Sequence, residues 1–223
     1  MKKFKCRASK LGDLFTNPRN KSEKISETAK TYLKEWVVEQ KFGVKKEIIS
    51  RYLDKGIYLE DDAIWHYNKL FKTNAEKNDE FFENEYIQGT PDLIIDGKIV
   101  DIKCSFSAFS FPMFETELPT KAYYYQLQAY MWLTGCREAE VAYFLLDSPD
   151  DVILREAKSI MYKEQLPDDF LEILIEEVKE SHTFQDIPIK DRCKVFKVER
   201  SEEVIEEITN RVLNAREYIE TIK

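Results

Sequence analysis

The sequence predicts an α/β (α+β) fold: a mixed central sheet flanked by helices in the order α-β-β-β-α-β, with N-terminal helices before it and a C-terminal α/β extension after it. Three observations carry this. Asp96-Gly97 separates two short runs of β-forming residues, Leu93-Ile94-Ile95 and Ile99-Val100-Asp101-Ile102-Lys103-Cys104, which is a strong hairpin signal. Apolar residues recur at helical spacing on both sides of that hairpin. The unbroken apolar run Val141 to Leu146 has the length and composition of a buried strand.

In chain order, Ser26 to Gln40 carries Ala29, Leu33, Trp36 and Val37 on one helical face, and Gly43 is placed to stop it. A second helix is expected over Lys46 to Leu53. After Lys55-Gly56 a third runs from Tyr58 to about Phe71, with Leu59, Ala63, Tyr67 and Leu70 at steps of four and three and Glu60 in its first turns. Strands follow at Phe81 to Ile87, Leu93 to Ile95 and Ile99 to Cys104, separated by Gly89-Thr90-Pro91 and Asp96-Gly97. The period returns to helix from Lys121 to Thr134, ended by Gly135. The extension is read as a strand at Val152 to Glu156, a helix from Pro167-Asp168 to Glu180, a strand at Lys194 to Val198 and a last helix from Ser201 with Val204, Ile205, Ile208, Val212 and Leu213 in a stripe. No repeat or Pro/Gly/Ser-rich linker interrupts the chain. One domain is therefore expected over residues 1–223, with its core at about 44–147 and the extension at about 150–223.

Composition narrows the function. With 43% hydrophobic and 34% charged residues in 223, the chain reads as an ordinary globular one, able to bury a substantial core. No apolar run approaches the roughly 20 residues of a membrane span, and Met1-Lys2-Lys3-Phe4 opens no signal peptide, so a cytoplasmic protein with no membrane partner is expected. Cys6, Cys104, Cys136 and Cys193 form no CxxC pair, which speaks against a zinc or iron-sulfur site and for free thiols. His66 and His182 are isolated and receive no catalytic role. A net charge of −8 argues against binding DNA by bulk electrostatics, though Lys2, Lys3, Lys5, Arg7 and Lys10 form a local basic cluster.

The chemistry concentrates in Gly89-Thr90-Pro91-Asp92 and Asp101-Ile102-Lys103. Alternation along a strand puts Asp101 and Lys103 on one side and Ile102 on the other. Asp92 begins the partner strand of the hairpin, so both carboxylates can share one cation. At about 5 Å apart they repel by roughly 3 kcal/mol at an effective dielectric of 20, a conflict that a divalent ion resolves. Carboxylate oxygens without a His or Cys cluster favour Mg²⁺, with Mn²⁺ able to substitute. Such a site suits phosphodiester hydrolysis by activated water, with Lys103 orienting the nucleophile or steadying developing charge. An isolated Asp-x-Lys is far more often an ordinary surface ion pair, so the motif alone is weak. The weight lies in its combination with the Gly-Thr-Pro-Asp turn, the acid-bearing helix before it and Gln126-Leu127-Gln128-Ala129-Tyr130 after it.

That combination resembles the PD-(D/E)XK nuclease superfamily, with its restriction-endonuclease-like core, and most closely the phage lambda exonuclease and YqaJ-like viral recombinase branch. The likeness runs over residues 5 to 147 and begins with Arg7-Ala8-Ser9 and Glu27-Thr28-Ala29-Lys30-Thr31-Tyr32-Leu33. It implies that Glu60, Asp92, Asp101 and the Ile102 carbonyl bind metal, that Lys103 places water, and that Gln126 fixes Lys103 or the scissile phosphate. Ser9 would contact a terminal phosphate, with Arg7 and Tyr130 also facing nucleic acid. Tyr123, Tyr124, Tyr125, Tyr130 and Trp132 are of a type that stacks on bases in single-strand channels, but their helical spacing favours core packing for most of them. The branch often carries Glu where this chain has Asp101, one methylene shorter with the same oxygens.

By the same resemblance the chain is a Mg²⁺-dependent exonuclease that resects linear duplex DNA in phage or prophage recombination or repair, in a bacterial host cytosol if phage-encoded. Its expected partners are a single-strand annealing protein and further copies of itself in a ring. The rival readings are a structure-selective or restriction-type endonuclease and a non-catalytic DNA-binding subunit. Against the last, every acid and the lysine are present.

Overall fold

The computed structural model describes residues 2–20, 22–46 and 51–223, and side chains from Lys55 onward in the last stretch. Its strands are β1 (Cys6–Arg7), β2 (Phe82–Glu83), β3 (Ile87–Gly89), β4 (Leu93–Ile95), β5 (Lys98–Cys104), β6 (Glu138–Phe144) and β7 (Cys193–Glu199). Its α-helices are α1 (Leu11–Leu14), α2 (Glu27–Phe42), α3 (Arg51–Phe71), α4 (Lys121–Thr134), α5 (Asp150–Lys163), α6 (Leu171–Ser181) and α7 (Glu202–Ile222).

A mixed sheet of order β4-β5-β6-β7 forms the centre. Asp96 and Gly97 both take positive φ, 49° and 79°, the requirement of the tight hairpin turn that joins β4 to β5 with Ile95 opposite Lys98. Helix α4 then carries the chain back so that β6 runs parallel to β5, with Asp101 beside Val141, and β7 closes antiparallel on β6. Side chains alternate across this sheet. Val100 and Ile102 pack with Leu93, Ala142 and Phe144 against Leu59, Ala63, Ile64 and Tyr67 of α3. Ile99, Val141 and Phe196 pack on the opposite side with Leu127 and Met131 of α4, backed by α2 and α7. Asp101 and Lys103 share the parity of Ile99 and so emerge on the α4 side.

Local chemistry sets the helix limits. Ser26 caps α2 by accepting from Ala29 N, and Gly43 and Gly135 end α2 and α4 in the left-handed region. A second sheet of order β1-β3-β2 lies beside the first and aligns Arg7 with Gln88.

Three elements differ from the sequence reading. Val152 to Glu156 is not a strand but part of α5: Asp150 and Asp151 occupy its first turn, Val152 is buried, and Ile153 and Ala157 pack against Leu174 and Val178 of α6. There the helical period outweighs the β-branched content of Val-Ile-Leu. Phe81 to Ile87 is two short strands instead of one, because the Asn84 side chain accepts from Tyr86 N and Ile87 N and turns the chain. Both belong to the small sheet, and the central sheet takes its fourth strand from the tail. The expected break at Lys55-Gly56 does not occur, since α3 runs through it; residues 47–50 of the expected second helix lie outside the described residues. The Lys55 side chain is fully buried and donates to the Phe106 carbonyl at 3.0 Å. Among the described residues no helix is long and apolar enough to cross a membrane, and all four cysteines are free.

Candidate active site

Continuing the β4–β5 register one step past Leu93 and Val100 sets Asp92 opposite Asp101. Asp92 Oδ2 accepts from Ile102 N at 2.7 Å, which locks the Pro-Asp turn onto β5. Asp101 is 1% exposed, and its Oδ1 accepts from Gln126 Nε2 at 2.9 Å. Its Oδ2 lies 2.6 Å from Lys103 Nζ as an ion pair, yet that oxygen receives no hydrogen bond of sound geometry. Lys103 Nζ also donates to the Ile102 carbonyl at 3.3 Å and sits 5.0 Å from the centre of the Tyr123 ring.

The electrostatics of this group are unbalanced. Burial and the facing Asp101 charge push the Asp92 carboxyl up to about 7, against the pull of Lys103 and the Ile102 N–H. Burial alone would lower the Lys103 ammonium, but Asp101 and Asp92 outweigh it and hold the lysine above its ordinary range. One lysine thus serves two carboxylates. The donors are oxygens throughout, and a buried oxygen without a proper hydrogen bond points into the group, so Asp92, Asp101 and the Ile102 carbonyl fit a hard divalent cation.

Glu60 arrives from the N-terminal half of α3 and is engaged elsewhere. Its Oε2 pairs with Lys77 Nζ at 2.9 Å, a contact that raises the lysine above its ordinary range. Lys77 belongs to the segment after α3, which Asn78 ties to the Pro-Asp turn: Asn78 N donates to Asp92 O at 2.8 Å and Asn78 Nδ2 to Pro91 O at 2.9 Å. Among the described residues no three His, Cys, Asp or Glu side chains already converge into a metal cage.

Beside the acids lies a cavity of about 730 Å³ whose lining includes Arg7, Ser9, Trp36, Thr90 and Tyr130. Pairing of β1 with β3 brings Arg7 and Ser9 to this wall. Tyr130 is 5% exposed, and its hydroxyl accepts from Gln126 Nε2 at 3.2 Å. Burial and the Asp101 charge hold its phenol protonated. Its ring closes on Gly89, where a Cβ would stand 2.8 Å from Cε1 of the ring, so the first residue of the Gly-Thr-Pro-Asp turn has a steric reason to be glycine. Tyr130, Gln126 and Asp101 therefore form a continuous hydrogen-bonded path from cavity to acids.

Four residues of the basic N-terminal cluster are paired: Lys3 with Glu85, Lys5 with Glu83, Arg7 with Glu39 and Lys10 with Asp13, at 2.6 to 3.1 Å. Exposed pairs of this kind contribute about 0 to 1 kcal/mol, so exchanging a carboxylate for a phosphate there is cheap. Gln126, expected to fix Lys103 or the scissile phosphate, donates to Asp101, the ion-pair partner of Lys103. Lys77, Asn78 and Tyr123 were not marked by the sequence as site residues. Their only signal is spatial, because Lys77 and Asn78 reach the acids from the segment after α3 and Tyr123 from α4. Cys104 lies next to Lys103, and burial pushes its thiol up to about 12, which disfavours the thiolate.

Residues 8–137 match the family described as the YqaJ-like viral recombinase domain, more than half of the chain. The fold is similar to the crystal structure of a phage-related exonuclease from Haemophilus somnus 129PT, at 29% identity and TM-score 0.80, over 99% of this chain and 96% of that one. It is also similar to the alkaline exonuclease LHK-Exo from Laribacter hongkongensis, at 18% identity and TM-score 0.66, over 97% of this chain and 88% of that one. A further structure of LHK-Exo, in complex with dAMP, matches to the same extent. No curated protein matches the chain.

Proposed function

The chain belongs to the YqaJ-like viral recombinase domain family, and from that premise we propose that it is a metal-dependent DNA exonuclease that resects linear duplex ends in phage or prophage recombination or DNA repair. The observation that carries the reading is the facing pair Asp92 and Asp101, two buried carboxylates that share Lys103 as a close cation. An all-oxygen group in that state calls for a hard cation. The names of the similar structures, a phage-related exonuclease and an alkaline exonuclease also seen with dAMP, support the same reaction class.

In this proposal Glu60, Asp92, Asp101 and the Ile102 carbonyl hold Mg²⁺, with Mn²⁺ able to substitute. When bound, the metal supplies charge for the phosphodiester and lowers the pKa of water at the site. The rest is the work of the chain's own side chains. Lys103, held protonated beside Asp101, places water and offsets negative charge that builds on the phosphate. Gln126 fixes the rotamer of Asp101, and Tyr130 fixes Gln126. Arg7, Ser9 and Tyr130 line the cavity that receives the end of a strand, with Ser9 and Arg7 on its terminal phosphate. A homo-oligomeric ring around the duplex would let an acidic protein grip DNA by turning its basic edges inward, and a single-strand annealing protein would take up the exposed strand.

The test is Mg²⁺-dependent nucleotide release from linear duplex DNA, run beside covalently closed circular DNA. Digestion of the linear form alone supports the exonuclease; nicking of the circle moves the assignment to an endonuclease, and binding without hydrolysis moves it to a non-catalytic subunit. Light scattering at micromolar concentration tests the ring, which a clean monomer would rule out.

A further inference from the structure

Glu60 has a partner that the reaction does not require. Its carboxylate, with the side chain 22% exposed, is held by Lys77 Nζ at 2.9 Å, while Lys77 remains 44% exposed and reaches it from the solvent side. The lysine's placement is built in. Its neighbour Asn78 makes two hydrogen bonds to the backbone of Pro91 and Asp92, so the segment after α3 is pinned across the turn that carries Asp92. Asn68 anchors the start of the same segment through its Oδ1, which accepts from Thr73 Oγ1 at 2.7 Å and Ala75 N at 2.9 Å.

We infer that Lys77 is an internal counter-ion of the acidic site, which holds Glu60 while no metal is bound and must release it when a divalent cation enters. The inference rests on the metal-binding reading of Glu60, Asp92 and Asp101. Two positive charges cannot share one carboxylate at close range without repulsion, so ammonium and cation compete for Glu60. The lysine therefore lowers metal affinity and in exchange keeps the uncompensated acids tolerable in the metal-free protein. Being partly exposed, the pair is weak enough to be broken by a divalent ion.

Isothermal titration of Mn²⁺ and of Mg²⁺ into the metal-free protein without DNA tests this, using wild type, Lys77→Gln, Lys77→Arg, Glu60→Gln and the Lys77→Gln/Glu60→Gln double variant. Lys77→Gln is expected to bind Mn²⁺ about two- to fivefold more tightly, an effect of the size of one partly screened charge contact. Lys77→Arg, which keeps the charge, should stay within about twofold of wild type. The gain from Lys77→Gln should vanish in the Glu60→Gln background. Unchanged or weaker binding by Lys77→Gln, with Glu60→Gln still impaired, would overturn the inference alone. Unimpaired binding by Glu60→Gln would overturn the metal reading of Glu60 and the inference with it. Circular dichroism in chelator confirms that each variant is folded.

Discussion

Gly89→Ala isolates the contact on which the cavity wall depends. Gly89 ends strand β3 in extended backbone, so alanine is conformationally acceptable there and would, by itself, stabilise the strand by about 0.5 to 1 kcal/mol. The opposing effect is steric. The new Cβ would stand 2.8 Å from Tyr130 Cε1 and 3.1 Å from Ala8 Cβ, squeezed between α4 and the N-terminal segment. Ordinary carbon contacts lie near 3.5 to 4.0 Å, so the ring must retreat by about 1 Å. It is buried, its hydroxyl is bonded to Gln126, and overpacking of this kind costs about 1 to 3 kcal/mol. The steric cost exceeds the gain in strand propensity, for a net loss of about 1 to 2 kcal/mol and a fall in Tm of about 2 to 8 °C. Displacing Tyr130 also shifts Gln126 and with it Asp101, so nucleotide release should drop about tenfold or more. Differential scanning calorimetry and the nuclease assay read the two effects. Tyr130→Phe, which keeps the ring and loses only the hydroxyl, should retain most of the stability. A Gly89→Ala protein with unchanged Tm and full activity would show that the wall yields freely and that Tyr130 does not hold the acids in place.

Gln126→Ala leaves Asp101 Oδ1 without its donor and should reduce kcat about ten- to hundredfold while circular dichroism stays native, the size expected for one hydrogen bond to a charged acceptor. Tyr67→Phe removes the hydroxyl that lies 2.5 Å from buried Glu140 Oε1, leaving that carboxylate to Lys98; a loss of about 1 to 3 kcal/mol is expected in urea denaturation. Burial lowers the Lys55 ammonium to about 8, below its value in the unfolded chain, so between about pH 8 and 10.5 the unfolded state binds more protons and this lysine's contribution to stability rises with pH. From pH 7.5 to 9.5 that contribution is about 2 kcal/mol, and Lys55→Met should flatten the dependence by that amount in denaturation titrations.

The parts of the fold legible in the sequence are those governed by local chemistry. Asp96-Gly97 demanded a tight turn, and Gly43 and Gly135 demanded helix ends; each is found where it was expected. The strand parity that put Asp101 and Lys103 together is equally local. What failed was a choice between competing local signals. Val152 and Ile153 favour strand by type, but the acidic first turn and the partner face on α6 make them helix. Asn84 broke a strand through a side-chain bond to its own backbone. Gly56 did not break α3, whose face is held by Leu59, Ala63 and Tyr67 against the sheet. At the candidate site, the residue types could be read but their partners could not. That Gln126 holds Asp101, that Asp92 clasps Ile102 N and that Lys77 holds Glu60 depend on the register of β4 and β5 and on the docking of segments far apart in sequence.

Whether Asp101 and Lys103 make a hydrolytic site or only a buried ion pair is decided by nucleotide release from linear duplex DNA. Wild type, Asp101→Ala and Lys103→Ala are compared with Mg²⁺ and after chelation, while DNA binding is followed by fluorescence anisotropy in parallel. A hydrolytic site requires cleavage by wild type that chelation abolishes, loss of about a thousandfold or more in both variants, and DNA binding that persists. Full hydrolysis by a folded Lys103→Ala or Asp101→Ala protein, or hydrolysis by wild type that survives chelation, would contradict it.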